Sequence, residues 1–238
     1  MFEFLFGARR AASPTVSAKP AAIAKPSLES LEDRRVMSAN LVGGNLVIVQ
    51  SNLNDTAVVT QTTNAFGLPI IHVEQTIGGI AQTPRDFYAW RVTGRIIYLG
   101  GAGDDVFDNL TNLRSTAYGQ AGNDILRGGH NADVLCGGLG NDELHGREGN
   151  DWLYGEAGND ILRGGQDNDH MYGGTGYDDL FGALGNDYLD GGRDGIADKL
   201  TGSTGADTFV AERVRILFFS FNRDNPQDFN AAEGDHII

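Results

Sequence analysis

The apolar residues in the middle of the chain recur with a period of nine. Between Gly119 and Asp190 the sequence divides into eight consecutive nine-residue frames, and the eighth residue of each frame is large and apolar. One apolar residue in nine is too sparse for an amphipathic helix, which needs one every three or four positions. The pattern instead predicts a three-residue strand whose middle side chain points into a core. These inward positions are Leu126, Leu135, Leu144, Leu153, Leu162, Met171, Leu180 and Leu189.

The first six positions of each frame predict a tight turn. Every frame begins with glycine and has aspartate at its sixth position, while glycine and asparagine dominate the fourth and fifth. Gly, Asn and Asp tolerate the positive φ angles that tight turns require. Two frames then make one flat coil, and stacked coils bury the apolar residues from both sides. The predicted fold is all-β, a parallel β-roll (β-solenoid) with flanking capping strands, and its turns are expected to be altered at Asn131 and Asp167, which replace glycine.

The sixth-position aspartates predict a row of metal sites. Stacking places residues 18 apart in neighbouring coils, about 4.8 Å from each other, so the carboxylates form two columns that repel unless a cation intervenes. Calcium fits best, because it takes six to eight oxygen ligands and turn carbonyls can supply the neutral ones, whereas magnesium demands strict octahedral geometry. We expect several Ca²⁺ ions, with Asp198 as an additional candidate ligand at an irregular end of the repeats. The predicted metal ligands are Asp105, Asp124, Asp133, Asp142, Asp151, Asp160, Asp169, Asp178, Asp187 and Asp207.

The charge of the chain also indicates a cation as partner. Residues 100–210 hold 20 of the 32 acidic residues and 6 of the 18 basic ones, so this stretch accounts for the whole formal charge of −14. Such a stretch repels nucleic acid and anionic lipid, and we expect neither as a partner. No run of 18 apolar residues is present, so no transmembrane segment is expected.

The frames resemble the RTX, or haemolysin-type, calcium-binding repeat, whose motif is G-G-x-G-x-D-x-U-x with U a large apolar residue. Residues 137–145, Gly-Gly-Leu-Gly-Asn-Asp-Glu-Leu-His, match every fixed position. Residues 100–108 resemble an earlier copy and residues 202–210 a later one, so the resemblance covers 100–210. It implies a parallel β-roll with calcium between the turns of neighbouring coils. It also implies a chain that is disordered inside the cell and folds after export, either secreted or on the cell surface.

The flanks of the repeats predict caps and a leader. Residues 39–99 alternate short apolar runs with turn signals and are expected to form an N-terminal β-strand cap, since an open strand edge invites aggregation. Residues 211–238 resemble the capping segment that follows RTX repeats in secreted proteins, which implies a type I export signal there. Residues 1–38 are expected to be a flexible leader. The leader ends in a stretch, residues 28–39, that resembles the LEPR-type N-terminal motif of large bacterial surface proteins, with Asp33 where that motif usually has proline.

Three functions remain open on the sequence alone. The leading hypothesis is a calcium-dependent structural or adhesive module that is not an enzyme, because no HExxH or G-x-S-x-G motif and no catalytic region is evident outside the repeats. The alternatives are a secreted hydrolase or toxin of the RTX type with an unrecognised active region, and a simple calcium-buffering protein.

The outward positions of alternate frames predict an aromatic face. Because two frames make one coil, Trp152, His170 and Tyr188 stack on the same side of the roll, beside Tyr154 and Tyr172. We hypothesise that this face contacts a glycan or a cell-surface partner, or the Phe-rich C-terminal tail of the chain folded back on it. The alternative is that a ladder of aromatic side chains only stabilises the sheet.

Overall fold

The computed structural model describes residues 38–210 and, beyond them, the backbone of four short strands. Residues 1–37, which hold nearly all of the predicted leader and its LEPR-like motif, lie outside the described part of the chain. The side chains of residues 211–238 also lie outside it. In the described part the only helical element is one 3₁₀ turn, Ala89–Arg91, and no helix is long and apolar enough to cross a membrane. The strands are β1 (Ser38–Val42), β2 (Asn45–Val49), β3 (Asp55–Thr63), β4 (Pro69–Ile77), β5 (Ile80–Ala81), β6 (Arg85–Tyr88), β7 (Ile96–Ala102), β8 (Val106–Leu110), β9 (Ser115–Ala121), β10 (Ile125–Arg127), β11 (Val134–Leu139), β12 (Glu143–Glu148), β13 (Trp152–Ala157), β14 (Ile161–Gln166), β15 (His170–Thr175), β16 (Asp179–Leu184), β17 (Tyr188–Gly192), β18 (Lys199–Thr204), β19 (Thr208–Val210), β20 (Arg213–Ile216), β21 (Phe219–Asn222), β22 (Asn225–Pro226) and β23 (His236–Ile237).

The repeat strands alternate between two parallel sheets. Strands β9, β11, β13, β15 and β17 are neighbours in the first sheet, and β10, β12, β14 and β16 are neighbours in the second. Each strand pairs with the strand two frames away, so that Val134 lies opposite Trp152 and Glu143 lies opposite Ile161. Two frames therefore form one coil, and the prediction of an all-β, parallel β-roll is confirmed.

One apolar row fills the space between the two sheets. The eighth-position residues of all eight frames are fully buried. The row continues at one end through Phe107 and Tyr98, whose rings stack with centroids 4.7 Å apart, and at the other end through Leu200 and Phe209. Burial of each such side chain contributes about 1.5–3 kcal/mol. Because a single coil has no partner to bury its row against, this stabilisation exists only in a stack.

Two places in the roll have coils longer than two regular frames. Val106 lies opposite Ile125, so the chain between them exceeds two frames by a single position. Asp179 lies opposite Lys199, and here the coil is longer by a pair of positions. The inward residues next to them still pair with each other, so the additional residues are absorbed in the turns. The core row is therefore continuous through the irregular coils.

The first coil extends the roll beyond the repeats. Strands β2 and β3 pair in parallel with β7 and β8, although a long stretch of chain separates the partners. The intervening chain is antiparallel: β4 pairs with β3, and β5 and β6 pair with β4. Strand β1 folds back on β2. At the N-terminal end of the roll, both parallel sheets therefore finish in antiparallel strands. We propose that these strands are the N-terminal cap, which keeps the sheet edges from pairing with other chains.

The turns of the eight repeat frames share one backbone conformation, with an exception at residues 128–133. In the regular turns the second and fourth residues have positive φ even where they are not glycine, as in Glu156 (φ 79°) and Asp167 (φ 72°). Asp167 therefore keeps a regular turn, and the expectation of an altered turn there is wrong. Gly129 and Asn131 occupy the same two positions in the turn 128–133 without positive φ. That turn is altered, as expected from Asn131.

Candidate calcium-binding turns

The turns stack into two columns, one on each side of the roll, and the turn of every repeat frame carries one buried aspartate. Along each column the backbone N–H of one aspartate donates to Oδ1 of the next aspartate, one coil further on, as from Asp124 to Asp142 (2.7 Å) and from Asp151 to Asp169 (2.8 Å). The structure thus brings all ten predicted ligands into these columns. The first column contains Asp105, Asp124, Asp142, Asp160, Asp178 and the additional candidate Asp198, and the second contains Asp133, Asp151, Asp169, Asp187 and Asp207.

The second carboxylate oxygen of most of these aspartates has no hydrogen-bond donor. A buried carboxylate oxygen of this kind is strongly unfavourable unless a proton or a cation meets it. These oxygens are therefore candidate ligands for a cation. They are Oδ2 of Asp105, Asp124, Asp142, Asp151, Asp160, Asp169, Asp178 and Asp187.

The glycine that opens each turn faces both this oxygen and a backbone carbonyl. A Cβ added to Gly119 would lie 2.2 Å from Asp124 Oδ2 and 2.8 Å from the carbonyl oxygen of Gly137 in the next coil. The same arrangement recurs at Gly146 and Gly155. Only glycine leaves this space clear. The two oxygens that face it are hard donors of the kind that Ca²⁺ prefers, so the residues present fit the ion.

Backbone carbonyls are a necessary part of such a site. Among residues 38–210, no three His, Cys, Asp or Glu side chains lie close enough together to hold a metal ion by themselves. Carboxylates supplemented by carbonyl oxygens suit calcium, whereas structural zinc sites are built from Cys and His side chains.

Burial makes the aspartates difficult to ionise. Burial, with smaller contributions from neighbouring carboxylates, raises the pKa of Asp151 to about 9 and that of Asp142 to about 7. Burial also raises the pKa of Asp169 to about 8 and that of Asp124 to about 6. At neutral pH, a roll without a counter-cation must therefore hold protons that the unfolded chain has already released.

Asp55 closes the first column, and the sequence analysis missed it. Its backbone N–H donates to Asp105 Oδ1 (2.8 Å), 50 residues further on. Its own carboxylate accepts hydrogen bonds from the N–H and hydroxyl of Ser51 and from the N–H of Gly78, so protein donors satisfy both oxygens. Asp55 lies outside the nine-residue period. The pair Asn54–Asp55, followed two residues later by a buried apolar residue, matches the end of the repeat motif and is the signal that indicates it.

The fifth-position asparagines form a second ladder that the sequence analysis also missed. Asn141 N–H donates to Asn123 Oδ1 (2.9 Å), and Asn168 N–H donates to Asn150 Oδ1 (2.8 Å). This ladder runs in the opposite direction to that of the aspartates, since each asparagine accepts from the following coil. Asparagine at this position therefore joins the coils as well as shaping the turn.

The family model of the RTX calcium-binding nonapeptide repeat matches four overlapping stretches of the chain, residues 114–144, 137–171, 145–180 and 163–195. Residues 114–195 carry RTX calcium-binding repeats. No curated protein and no solved structure matches the chain significantly. The family match confirms two predictions, the RTX repeats themselves and calcium, in several ions, as what they bind.

The RTX β-roll is a structural calcium-binding module and not a catalytic fold. Its chemistry here lies in the two aspartate columns, where carboxylate and carbonyl oxygens of adjacent coils come together. The assignment of individual aspartates as calcium ligands stays a prediction, which single substitutions can test.

Asp142→Asn tests one ligand directly. The variant keeps an oxygen to accept the hydrogen bond from Asp124 N–H but replaces the second oxygen with an amide group that does not ligate a cation. We expect it to bind at least one calcium ion fewer than the wild type, counted by native mass spectrometry. The matched control is Glu143→Gln, which removes the same charge from the outer face, where Glu143 pairs with His145 and Arg163. Equal counts for Asp142→Asn and the wild type would contradict the assignment.

The raised aspartate pKa values predict that acid stabilises the roll when calcium is chelated. Burial raises the pKa values of Asp124, Asp142, Asp169 and Asp151 from the ordinary 3.8 to between about 6 and about 9. The folded roll therefore binds more protons than the unfolded chain, and its stability is lost as the pH rises through this interval. In chelator we expect a stronger β signal in far-UV circular dichroism at pH 6 than at pH 8.5. In excess calcium this difference should disappear, and a signal in chelator that is equal or stronger at pH 8.5 argues against the account.

Proposed function

We propose that this chain is a secreted or cell-surface structural module whose β-roll forms when calcium binds its RTX turns. The supporting observation is the set of buried Oδ2 atoms without donors in both columns. Burying such oxygens without a partner destabilises the folded roll where calcium is scarce. Where calcium is abundant, a bound ion removes this cost. Proteins with RTX repeats are typically secreted. Extracellular calcium modules bind in the range of about 10⁻⁴ to 10⁻³ M, which matches this role.

In this proposal the two carboxylate oxygens of each turn aspartate have different roles. In each column Oδ1 accepts the backbone N–H of the preceding coil and so fixes the carboxylate in place. Oδ2 of the aspartates other than Asp133 would then hold the ions, together with the carbonyls of the turn-opening glycines. A bound calcium ion supplies the positive charge that these buried carboxylates lack. In this proposal residues 100–210 are the calcium-binding roll, 39–99 its N-terminal cap, 1–38 a leader, and 211–238 a C-terminal cap that carries the export signal.

Far-UV circular dichroism of the full chain, chelated at pH 8 and then titrated with calcium, tests this proposal. We expect a disordered spectrum that changes to a β spectrum between about 0.1 mM and a few mM calcium. Magnesium is the control and should leave the spectrum disordered, because it does not readily exchange its waters for carbonyl ligands. A β spectrum in chelator at pH 8 would contradict coupled folding. Calcium binding without a spectral change would indicate a calcium-buffering protein.

The outer face of the first sheet supports a second proposal, adhesion to a glycan. Trp152 stacks on His170 with ring centroids 4.2 Å apart, and Tyr154 stacks on Tyr172 at 5.1 Å, with Tyr188 next at 5.6 Å from Tyr172. The outer face of the second sheet carries ion pairs instead, as between Arg163 and Glu143 or Lys199 and Asp179. Because the rings stack face to face along the ladder, their edges point outward and form a continuous aromatic strip that a sugar can contact. The contrast between the two faces favours the aromatic one as the contact surface.

Replacement of the aromatic ladder tests adhesion. We expect Trp152→Ala combined with Tyr172→Ala to reduce binding to glycans at least tenfold on a glycan array in calcium, because two rings of the aromatic strip are removed. The control is Ile161→Ala with Phe181→Ala, two exposed apolar residues on the opposite face. Both variants should retain the β spectrum. Unchanged binding in the aromatic variant, or no glycan bound by the wild type, would mean that the ladder only stabilises the sheet.

A further inference from the structure

The turn at residues 128–133 holds its aspartate in a different way from the regular turns. Its backbone lacks the positive φ angles at Gly129 and Asn131, and the N–H of Gly129 donates to Asp133 Oδ2 (2.6 Å). Oδ1 of Asp133 accepts hydrogen bonds from the backbone N–H and from the hydroxyl of Ser115. Protein donors therefore satisfy both oxygens of Asp133, as they do in Asp55 at the end of the first column.

Ser115 occupies the position that is aspartate in the later turns of this column. It lies 18 residues before Asp133, and its N–H bonds to Asp133 Oδ1 just as the N–H of Asp133 bonds to Asp151 Oδ1 (2.7 Å). The preceding turn, residues 109–115, thus has no carboxylate at the position that the column aspartates occupy in the later turns. Side-chain hydrogen bonds within the turn replace it, among them those of Asn109 Oδ1 with the N–H and hydroxyl of Thr111.

The side chain of Arg147 crosses these two turns. Its Nη1 donates to the carbonyl oxygens of Gly128 (3.0 Å) and Asn109 (3.1 Å), one and two coils back. Its Nη2 forms an ion pair with Asp108 Oδ1 at 2.8 Å. The carbonyl of Gly128 is the counterpart of the Gly137 carbonyl, which faces the unpartnered oxygen of Asp124 in the other column. The guanidinium thus bonds to a carbonyl of the kind that faces the candidate calcium ligands elsewhere.

We infer that the guanidinium of Arg147 takes the place of a calcium ion at the N-terminal end of the second aspartate column. The inference rests on the calcium sites proposed for the other turns. A guanidinium is permanently charged, is less strongly hydrated than an ammonium group and carries five donors, so one side chain serves two carbonyls and a carboxylate at once. Calcium sites in this column therefore begin at Asp151. Between the turns 109–115 and 128–133, the positive charge comes from the guanidinium of Arg147 instead.

Substitution of aspartate for Ser115, together with removal of the Arg147 side chain, tests this inference by creating an additional calcium site. Ser115→Asp alone is expected to bind the wild-type number of calcium ions in native mass spectrometry, because Arg147 still occupies the place and pairs with the new carboxylate. Ser115→Asp combined with Arg147→Gly is expected to bind one ion more. The matched control is Ser115→Asp combined with Arg163→Gln, which removes the same charge from the outer face and should keep the wild-type count. An additional ion in Ser115→Asp alone, or none in the combination with Arg147→Gly, overturns the inference.

A second comparison applies if the combined variant does not fold in calcium. Asp133→Asn should then bind the same number of ions as the wild type, whereas Asp151→Asn should bind fewer. Loss of an ion in Asp133→Asn overturns the inference. The wild type tests the underlying proposal separately: if it binds no calcium, or binds it without folding, the proposed function fails whatever these variants do.

Discussion

Eight carboxylate oxygens lie buried in the turns without a hydrogen-bond donor, and in the proposed function they decide when this roll can form. The same parallel register that aligns the inward leucines between the sheets also stacks the sixth-position aspartates one above another. Apolar burial and carboxylate burial are therefore inseparable, because one register produces both. The core favours the stack under all conditions, while the aspartates oppose it unless protons or cations are present. In the proposed function, this coupling makes the formation of a repetitive β-structure depend on calcium.

Both columns end at the N-terminal side on residues that need no metal. Asp55 receives donors from Ser51 and Gly78, and Asp133 receives them from Gly129 and Ser115. The antiparallel strands proposed as the N-terminal cap lie at the same end, beyond the repeats. In the proposed function, dependence on calcium is therefore concentrated in the regular repeats, because protein groups close this end of the roll.

The sequence predicts the repeating part of this structure well because a strict period carries the information. Leucine and aspartate in fixed phase specify the strand, the turn, the pairing of every second frame and the stacking of the carboxylates. The features that it does not reveal lie where that phase is lost or where a side chain reaches across coils. Asp55 joins its column across a 50-residue gap, and Arg147 contacts a carbonyl 38 residues away. The local identity of a residue is also insufficient: Asp167 adopts positive φ in place of glycine, whereas Asn131 does not.

Anomalous diffraction from crystals of the full chain grown in calcium tests the central claim most directly, because it locates the ions themselves. The account predicts calcium peaks within both columns of turns, each next to an aspartate Oδ2 and the carbonyl of a turn-opening glycine. It predicts no peak beside Arg147. A roll without peaks in the turns, or with calcium bound only at the exposed acidic residues of the outer faces, would contradict the account.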